Sequence, residues 1–209
     1  MFRLAKPLVP VIALTVLAAM LSVFVQPVWW IPLLAVPGYW VSAIYPPRGR
    51  RWDNNASYED FCGCFGMLEV PMYEGKQAAC NGITKATRHI IIPVRIPDHA
   101  YRKLKIHDAI KTMVSHELSH LYYNHPFTNV FYFTLCCAAV SFAMCFYGSF
   151  VALFMVIGFI PCTIWKTMQM EIAADRLADT FSDMRALLLT LPDNSIRKMR
   201  LAALDGKRS

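Results

Sequence analysis

Charge is what this chain has least of. Of its 209 residues 17% are charged while 56% are hydrophobic, a balance too apolar for an ordinary soluble fold. The shortage is uneven: no Asp, Glu, Lys or Arg occurs from Pro7 to Pro47, and none from Pro126 to Trp165. As helix, each gap measures about 60 Å, roughly two crossings of a 30 Å hydrocarbon core, so each predicts a helical hairpin and excludes a single span. A second cysteine pair is also missing. Cys62 and Cys64 form a Cys-x-Cys with no partner pair at zinc-finger spacing, and Cys136, Cys137, Cys145 and Cys162 lie in apolar runs, where cysteine packs as a small hydrophobe. No internal repeat, low-complexity tract or basic helix with interleaved aromatics is present, so the net charge of +7 does not predict a nucleic-acid partner.

The charge instead sets topology. The first hairpin is predicted to rise through residues 8–25, turn at QPVWWIP, and return through residues 33–45. Pro32, Pro37 and Gly38 interrupt this return arm, which leaves a re-entrant segment as the alternative to a full span. The second hairpin runs through residues 129–146, turns near Tyr147-Gly148-Ser149, and returns through residues 150–165. Trp29, Trp30, Tyr45, Phe131 and Trp165 suit the aromatic belts of the interface. Arg3 and Lys6 precede an apolar run without a small-residue cleavage site, which predicts an uncleaved anchor. Basic residues flank the arms at Arg3, Lys6, Arg48, Arg50, Arg51 and Lys166 while both hairpin tips lack them. By the positive-inside rule the termini and the central segment face the cytoplasm, where thiols stay reduced.

Four regions result: a transmembrane hairpin (1–47), a water-facing segment (48–125), a second hairpin (126–165) and a tail (166–209). In the water-facing segment RHIIIPVRI, residues 88–96, is β-branched and reads as a strand, and Pro93 predicts an edge position. MLEVPMYE, residues 67–74, predicts a second strand, with ACNG as turn punctuation. From about Asp98 or later, Ile106, Ile110, Met113, Val114, Leu118 and Leu121 recur at three- and four-residue spacing, the mark of an amphipathic helix. The tail predicts a helix up to Pro192, followed by the basic end RKMRLAALDGKRS.

The chemistry lies in VSHELSHLYYNHPF. His116, Glu117 and His120 form His-Glu-x-x-His on the predicted helix, and the four-residue spacing aims both imidazoles at one point. Zinc needs a third protein ligand and an open fourth position for water. His125, His107, His89, Glu171 and the aspartates of the tail carry suitable donors. His125 follows His116 by nine residues, beyond its own helix face, and suits a cap or an outer hydrogen-bond partner. Glu171 opens EIAAD, in which Glu171 and Asp175 share one helix face, so the glutamate can bind metal while the aspartate accepts an N–H from a ligating histidine. The second hairpin would return Glu171 to the membrane surface that His120 leaves, each about 10–14 Å from the apolar boundary.

HELSH, a membrane hairpin and then EIAAD resembles the HtpX-like membrane zinc endopeptidases, whose signature is His-Glu-x-x-His with a downstream Glu-x-x-Ala-Asp. The resemblance covers nearly the whole order of segments. It implies one Zn2+ per chain held by His116, His120 and Glu171, Glu117 as general base, and Asp175 as the residue orienting a ligand. It also implies degradation of misfolded membrane proteins. The expected fold is mainly α: four transmembrane helices in two hairpins with a small cytoplasmic α+β zincin domain of the gluzincin type, in a bacterial inner (plasma) membrane. Arg176, Tyr122, Tyr123 and His125 are expected as oxyanion donors. The strand carrying Arg88, Ile90 and Ile92 either holds an extended polypeptide by strand addition or is purely structural. Two rivals compete. LDG at Leu204 to Gly206 resembles the second motif of the site-2 intramembrane proteases, and a non-catalytic membrane adaptor stapled by zinc would need a fourth protein ligand such as His125 or a cysteine.

Overall fold

A computed structural model describes residues 31–45, 50–51, 65–67, 70–93 and 106–206. The arm at 8–25, Cys62, Cys64 and the side chain of His107 lie outside the described residues. Contacts divide the chain into two compact units, one of residues 1–43 and 127–168, the other of residues 44–126 and 169–209.

The first unit is helical. A 3-10 turn at Ile31–Leu34 leads into α1, Ala35–Ile44. Pro37 sits in the first turn of α1, where its missing N–H has no intrahelical partner to lose. Ten residues of helix measure about 15 Å, half a hydrocarbon core, so the return arm of the predicted first hairpin is a short helix. It packs on the helix His125–Tyr147, where Phe133 and Cys137 meet Leu33, Val36 and Tyr39, and the Trp40 indole N–H donates to Thr134 Oγ1 at 3.0 Å. Gly148, at φ 86°, turns the chain from that helix into the next, Ser149–Ala178. With the helix Ile106–Tyr122 of the second unit as α2, these two are α3 and α4 in chain order.

By length and composition α3 and α4 are apolar enough to cross a membrane. Small and β-branched side chains close the hairpin, Val140 and Ala143 against Ala152 and Val156. Bulky ones point away: Phe150 is 80% and Phe154 71% exposed, and exposed apolar surface on this scale suits lipid or a protein partner. The first charge after the apolar run is tied back, with Lys166 Nζ donating to Thr128 O and Asn129 Oδ1 at 3.2 and 3.1 Å and lying over the Tyr132 ring.

The second unit is α+β. Strands β1, Met72–Gly75, β2, Ala79–Asn81, and β3, His89–Pro93, form a sheet in the order β1-β3-β2. β1 is parallel to β3, with Met72 opposite Ile90, and β2 is antiparallel, with Cys80 opposite Ile90. This corrects the expected edge strand, because β3 is central and both its sides are hydrogen-bonded. Pro93 ends the strand, so its missing donor falls where pairing stops. Ile90 and Ile92 are buried in the core and Arg88 Nη2 donates to Asn124 Oδ1 at 3.2 Å, so none of the three offers a free edge to a substrate. The far side of β1 is bridged by Arg51, with Glu74 N donating to Arg50 O at 2.8 Å. Among the described residues, β2 alone keeps an unpaired side.

Gly82 ends β2 at φ +113°, and a Cβ there would fall 2.3 Å from Arg88 Cα. Only glycine fits this turn. Helix α2, Ile106–Tyr122, lies on the sheet, burying Val114, Leu118 and Leu121 against Met72, Ile90 and Ile92. It is followed by Asn124, in the left-handed region at φ 59°, a conformation asparagine tolerates better than most residues.

The tail departs from the single helix expected up to Pro192. α4 stops at Ala178, and Asp183 caps a new helix, α5, Met184–Thr190, by accepting from Ala186 N at 2.9 Å. The basic end is also helical: Asn194 caps α6, Ser195–Asp205. Leu187, Leu188 and Leu204 pack on Ala178 and Met184, fastening both short helices to the end of α4.

Candidate metal centre

Three donors converge in the second unit. α2 carries His116 and His120 one turn apart, and α4 carries Glu171 near its C-terminal end, well past Pro161, the proline inside that helix. His116 Nε2 lies 3.1 Å from His120 Nε2 and 3.4 Å from Glu171 Oε2, and His120 Nε2 lies 3.6 Å from Glu171 Oε1. The three donor atoms lie within 4.8 Å of one another. His116 and His120 are buried, and the Glu171 side chain is about a quarter exposed, which leaves the cluster open on one side.

These separations test the fit of a metal. A tetrahedral zinc with bonds of about 2.0–2.1 Å sets its ligand atoms about 3.4 Å apart, and the three distances bracket that value. Two imidazoles and a carboxylate are also a donor set zinc accepts, with a fourth position left over.

Each donor is held from behind. His116 Nδ1 lies 3.0 Å from Asp175 Oδ1, at ion-pair distance but off the angle of a good hydrogen bond. His120 Nδ1 lies 2.7 Å from His125 Nδ1, and a proton on His120 Nδ1 leaves its Nε2 lone pair facing the cluster. Arg200, from α6, donates through Nε and Nη2 to the two oxygens of Asp175 at 2.6 Å each, and its Nη1 lies 3.1 Å from Glu171 Oε2. One guanidinium therefore orients both acids.

Electrostatics follow from this packing. Burial disfavours a charged His116, but Asp175 and Glu171 outweigh burial and hold its pKa up at about 10. Burial and the neighbouring His116 push His120 down to about 3. Burial opposes ionisation of Glu171 and Asp175, yet His116 and Arg200 hold both carboxyls below the usual range. A buried acid cluster of this kind stays ionised because cations face it.

Glu117 is buried beside His116, close enough to the thiol of Cys80 on β2 to act on its ionisation. Burial, Glu117 and Glu171 together push that thiol's pKa up. The other expected groups stand apart. Arg176 is exposed and donates to Ala203 O at 3.2 Å, and Tyr122 is exposed, edge-on to Tyr123. His89 is buried, with Nδ1 on Thr87 O. Asp205 pairs with Arg185. Two residues at the centre are not expected from sequence, Arg200 and Cys80. The available signal for Arg200 is Asn194, a capping residue ahead of Ile196, Leu201 and Leu204.

Comparison of the chain with protein-family models, with curated proteins and with solved structures finds no match in any of the three.

Proposed function

We propose that this protein is a membrane-bound zinc metalloendopeptidase of the HtpX-like kind, acting on membrane-associated or misfolded membrane proteins at the cytoplasmic membrane surface. The observation that carries the reading is the convergence of His116, His120 and Glu171 at separations that suit tetrahedral zinc, with Glu117 next to them and not among the donors. A structural zinc has no use for that glutamate.

His116, His120 and Glu171 would hold a zinc ion, which would supply Lewis acidity toward a water and the scissile carbonyl. Glu117 takes a proton from the attacking water and returns it to the leaving amine. Asp175 and His125 keep the ligating nitrogens of His116 and His120 turned inward, and Arg200 fixes Glu171 and Asp175. An extended polypeptide pairs with the outer side of β2, which brings main-chain affinity with little sequence preference. Helices α3 and α4 anchor the enzyme in the bilayer, within the four-span, two-hairpin arrangement proposed for the whole chain. Only six positions separate Glu171 from Trp165 at the end of the apolar run, which favours substrates close to the lipid.

The rival, a zinc-stapled adaptor, needs a fourth protein ligand. His125 is engaged with His120 Nδ1, the ring nitrogen facing away from the cluster. The test is zinc content together with cleavage of a membrane-protein substrate by purified wild type and Glu117→Gln. One zinc in each and cleavage by wild type alone supports the enzyme; equal cleavage by both rejects the mechanism.

A further inference from the structure

We infer that Arg88 and Asn124 form a brace that sets His125 on His120, which makes Arg88 a positioning residue for the metal centre; the inference rests on the metalloendopeptidase reading. The need for a brace comes from helix geometry. His125 follows His120 by five residues, and in a continued helix the two would stand about 140° apart around the axis. Their Nδ1 atoms nevertheless lie 2.7 Å apart, because the chain reverses at Asn124, at φ 59°. Tyr123 N and Asn124 N donate to Ser119 O and Leu121 O at 3.1 Å each, which closes the end of α2 and begins the reversal. The His125 ring then lies between Tyr123, stacked at 5.5 Å, and His120, edge-on at 4.9 Å.

What holds the reversal comes from the sheet. Arg88, 36 residues before Asn124 and next to β3, donates from Nη2 to Asn124 Oδ1 at 3.2 Å. The backbone under Arg88 is itself fixed: its N–H donates to Thr84 O at 3.1 Å, Thr87 Oγ1 accepts from Ile83 N and Thr84 N, and the Gly82 turn leaves no room for a methyl beside Arg88 Cα. Arg88 Nε is buried without a hydrogen-bond partner, an arrangement that a merely solubilising arginine avoids. Asparagine suits the other end of the brace because it tolerates the left-handed conformation and also offers a carbonyl. Glycine would satisfy the backbone alone. The consequence reaches the metal through one hydrogen bond: with its Nδ1 engaged, His120 keeps its Nε2 turned to the cluster.

Four variants of the full-length protein test this: Arg88→Met, Asn124→Gly, the two combined, and Asn124→Asp. Zinc affinity, from competition against a chelator, is expected to fall about tenfold in each of the first two, the lower end of what an outer partner of a metal ligand is worth. The combined variant should be no weaker than either, since both changes remove one contact. Asn124→Asp keeps an acceptor for Arg88 and should restore most of the affinity. A readout that a purely structural tie would not move is the nitrogen–nitrogen coupling across the hydrogen bond between His120 and His125, read by NMR in histidine-labelled, chelator-treated protein. It is expected in wild type and Asn124→Asp and lost in Asn124→Gly. Where Arg88→Met fails to fold, Asn124→Gly decides, because glycine accepts the left-handed backbone without strain. An unchanged zinc affinity in Asn124→Gly, additive losses in the combined variant, or a coupling that survives in Asn124→Gly would each overturn the inference. The coupling needs neither zinc nor turnover, so failure of the enzyme reading, with equal cleavage by wild type and Glu117→Gln, leaves the brace to be judged by itself.

Discussion

Arg200 grips both carboxylate oxygens of Asp175 at 2.6 Å, and the same Asp175 faces the imidazole of His116 at 3.0 Å. The last helix of the tail thus reaches the first histidine through one acid. A shorter or monodentate cation cannot reproduce the fork. Arg200→Lys is therefore expected to weaken zinc binding about 10- to 100-fold, the usual cost of losing an outer hydrogen-bond partner. Competition against a chelator of known affinity measures it, and an unchanged affinity would show that Arg200 only closes the fold.

Zinc binding is expected to release a proton. In the metal-free protein burial opposes a charged His116, but Asp175 and Glu171 raise its pKa to about 10. At neutral pH it is protonated and must lose that proton to become a ligand. Titration calorimetry at about pH 7.5 in buffers of different ionisation enthalpy should give close to one proton released per zinc. The same shift affects stability with a definite sign. The folded pKa exceeds the unfolded value of about 6.5, so in the metal-free protein the contribution is fully present below about pH 6.5 and is lost as pH rises through about 10. Melting of the chelator-treated protein should fall across that window.

The two glutamates should separate cleanly. Glu117→Gln is expected to retain zinc while cleavage drops by roughly 10²–10⁴, the range for loss of a general base. Glu171→Gln should instead lose zinc, because an amide is a poor substitute for the third anionic donor. Metal analysis of both variants after gel filtration decides, and zinc loss in Glu117→Gln would refute the division of roles.

Gly82→Ala should unfold the β2 turn. The new methyl meets the Arg88 backbone at 2.3 Å and the residue must hold φ +113°, strain of about 1–3 kcal/mol before the overlap is counted. Faster proteolysis in the β2–β3 region and a lower melting temperature are the expected results; a wild-type melting curve would contradict the turn geometry.

Asp205→Ala should leave zinc binding intact, since Asp205 pairs with Arg185 on the short tail helices. Loss of zinc in that variant would revive the site-2 alternative.

Local patterns are legible in the sequence and long-range pairings are not. The period of Val114, Leu118 and Leu121 announces α2, and the i, i+4 pair Glu171 and Asp175 announces the acid face of α4, because helix geometry alone dictates both. The order of strands is hidden: Pro93 looks like an edge signal until pairing shows that β3 stops there. The break after Ala178 is hidden too, because the apolar run through Leu187 and Leu188 masks the capping Asp183. Arg200 reads as one more positive charge in a basic tail. Its partners Asp175 and Glu171 lie far back along the chain, on α4, and no local rule connects them.

Chain order carries a final consequence. His120 and Glu171 are separated by the whole α3 helix and most of α4. During synthesis the imidazoles leave the ribosome well before the carboxylate does, so, on the proposed reading, a half-made chain would have two of its three candidate metal ligands and no hydrolytic power. For an enzyme of the proposed kind, insertion of the hairpin acts as a built-in delay that keeps the nascent polypeptide harmless to itself and to its neighbours.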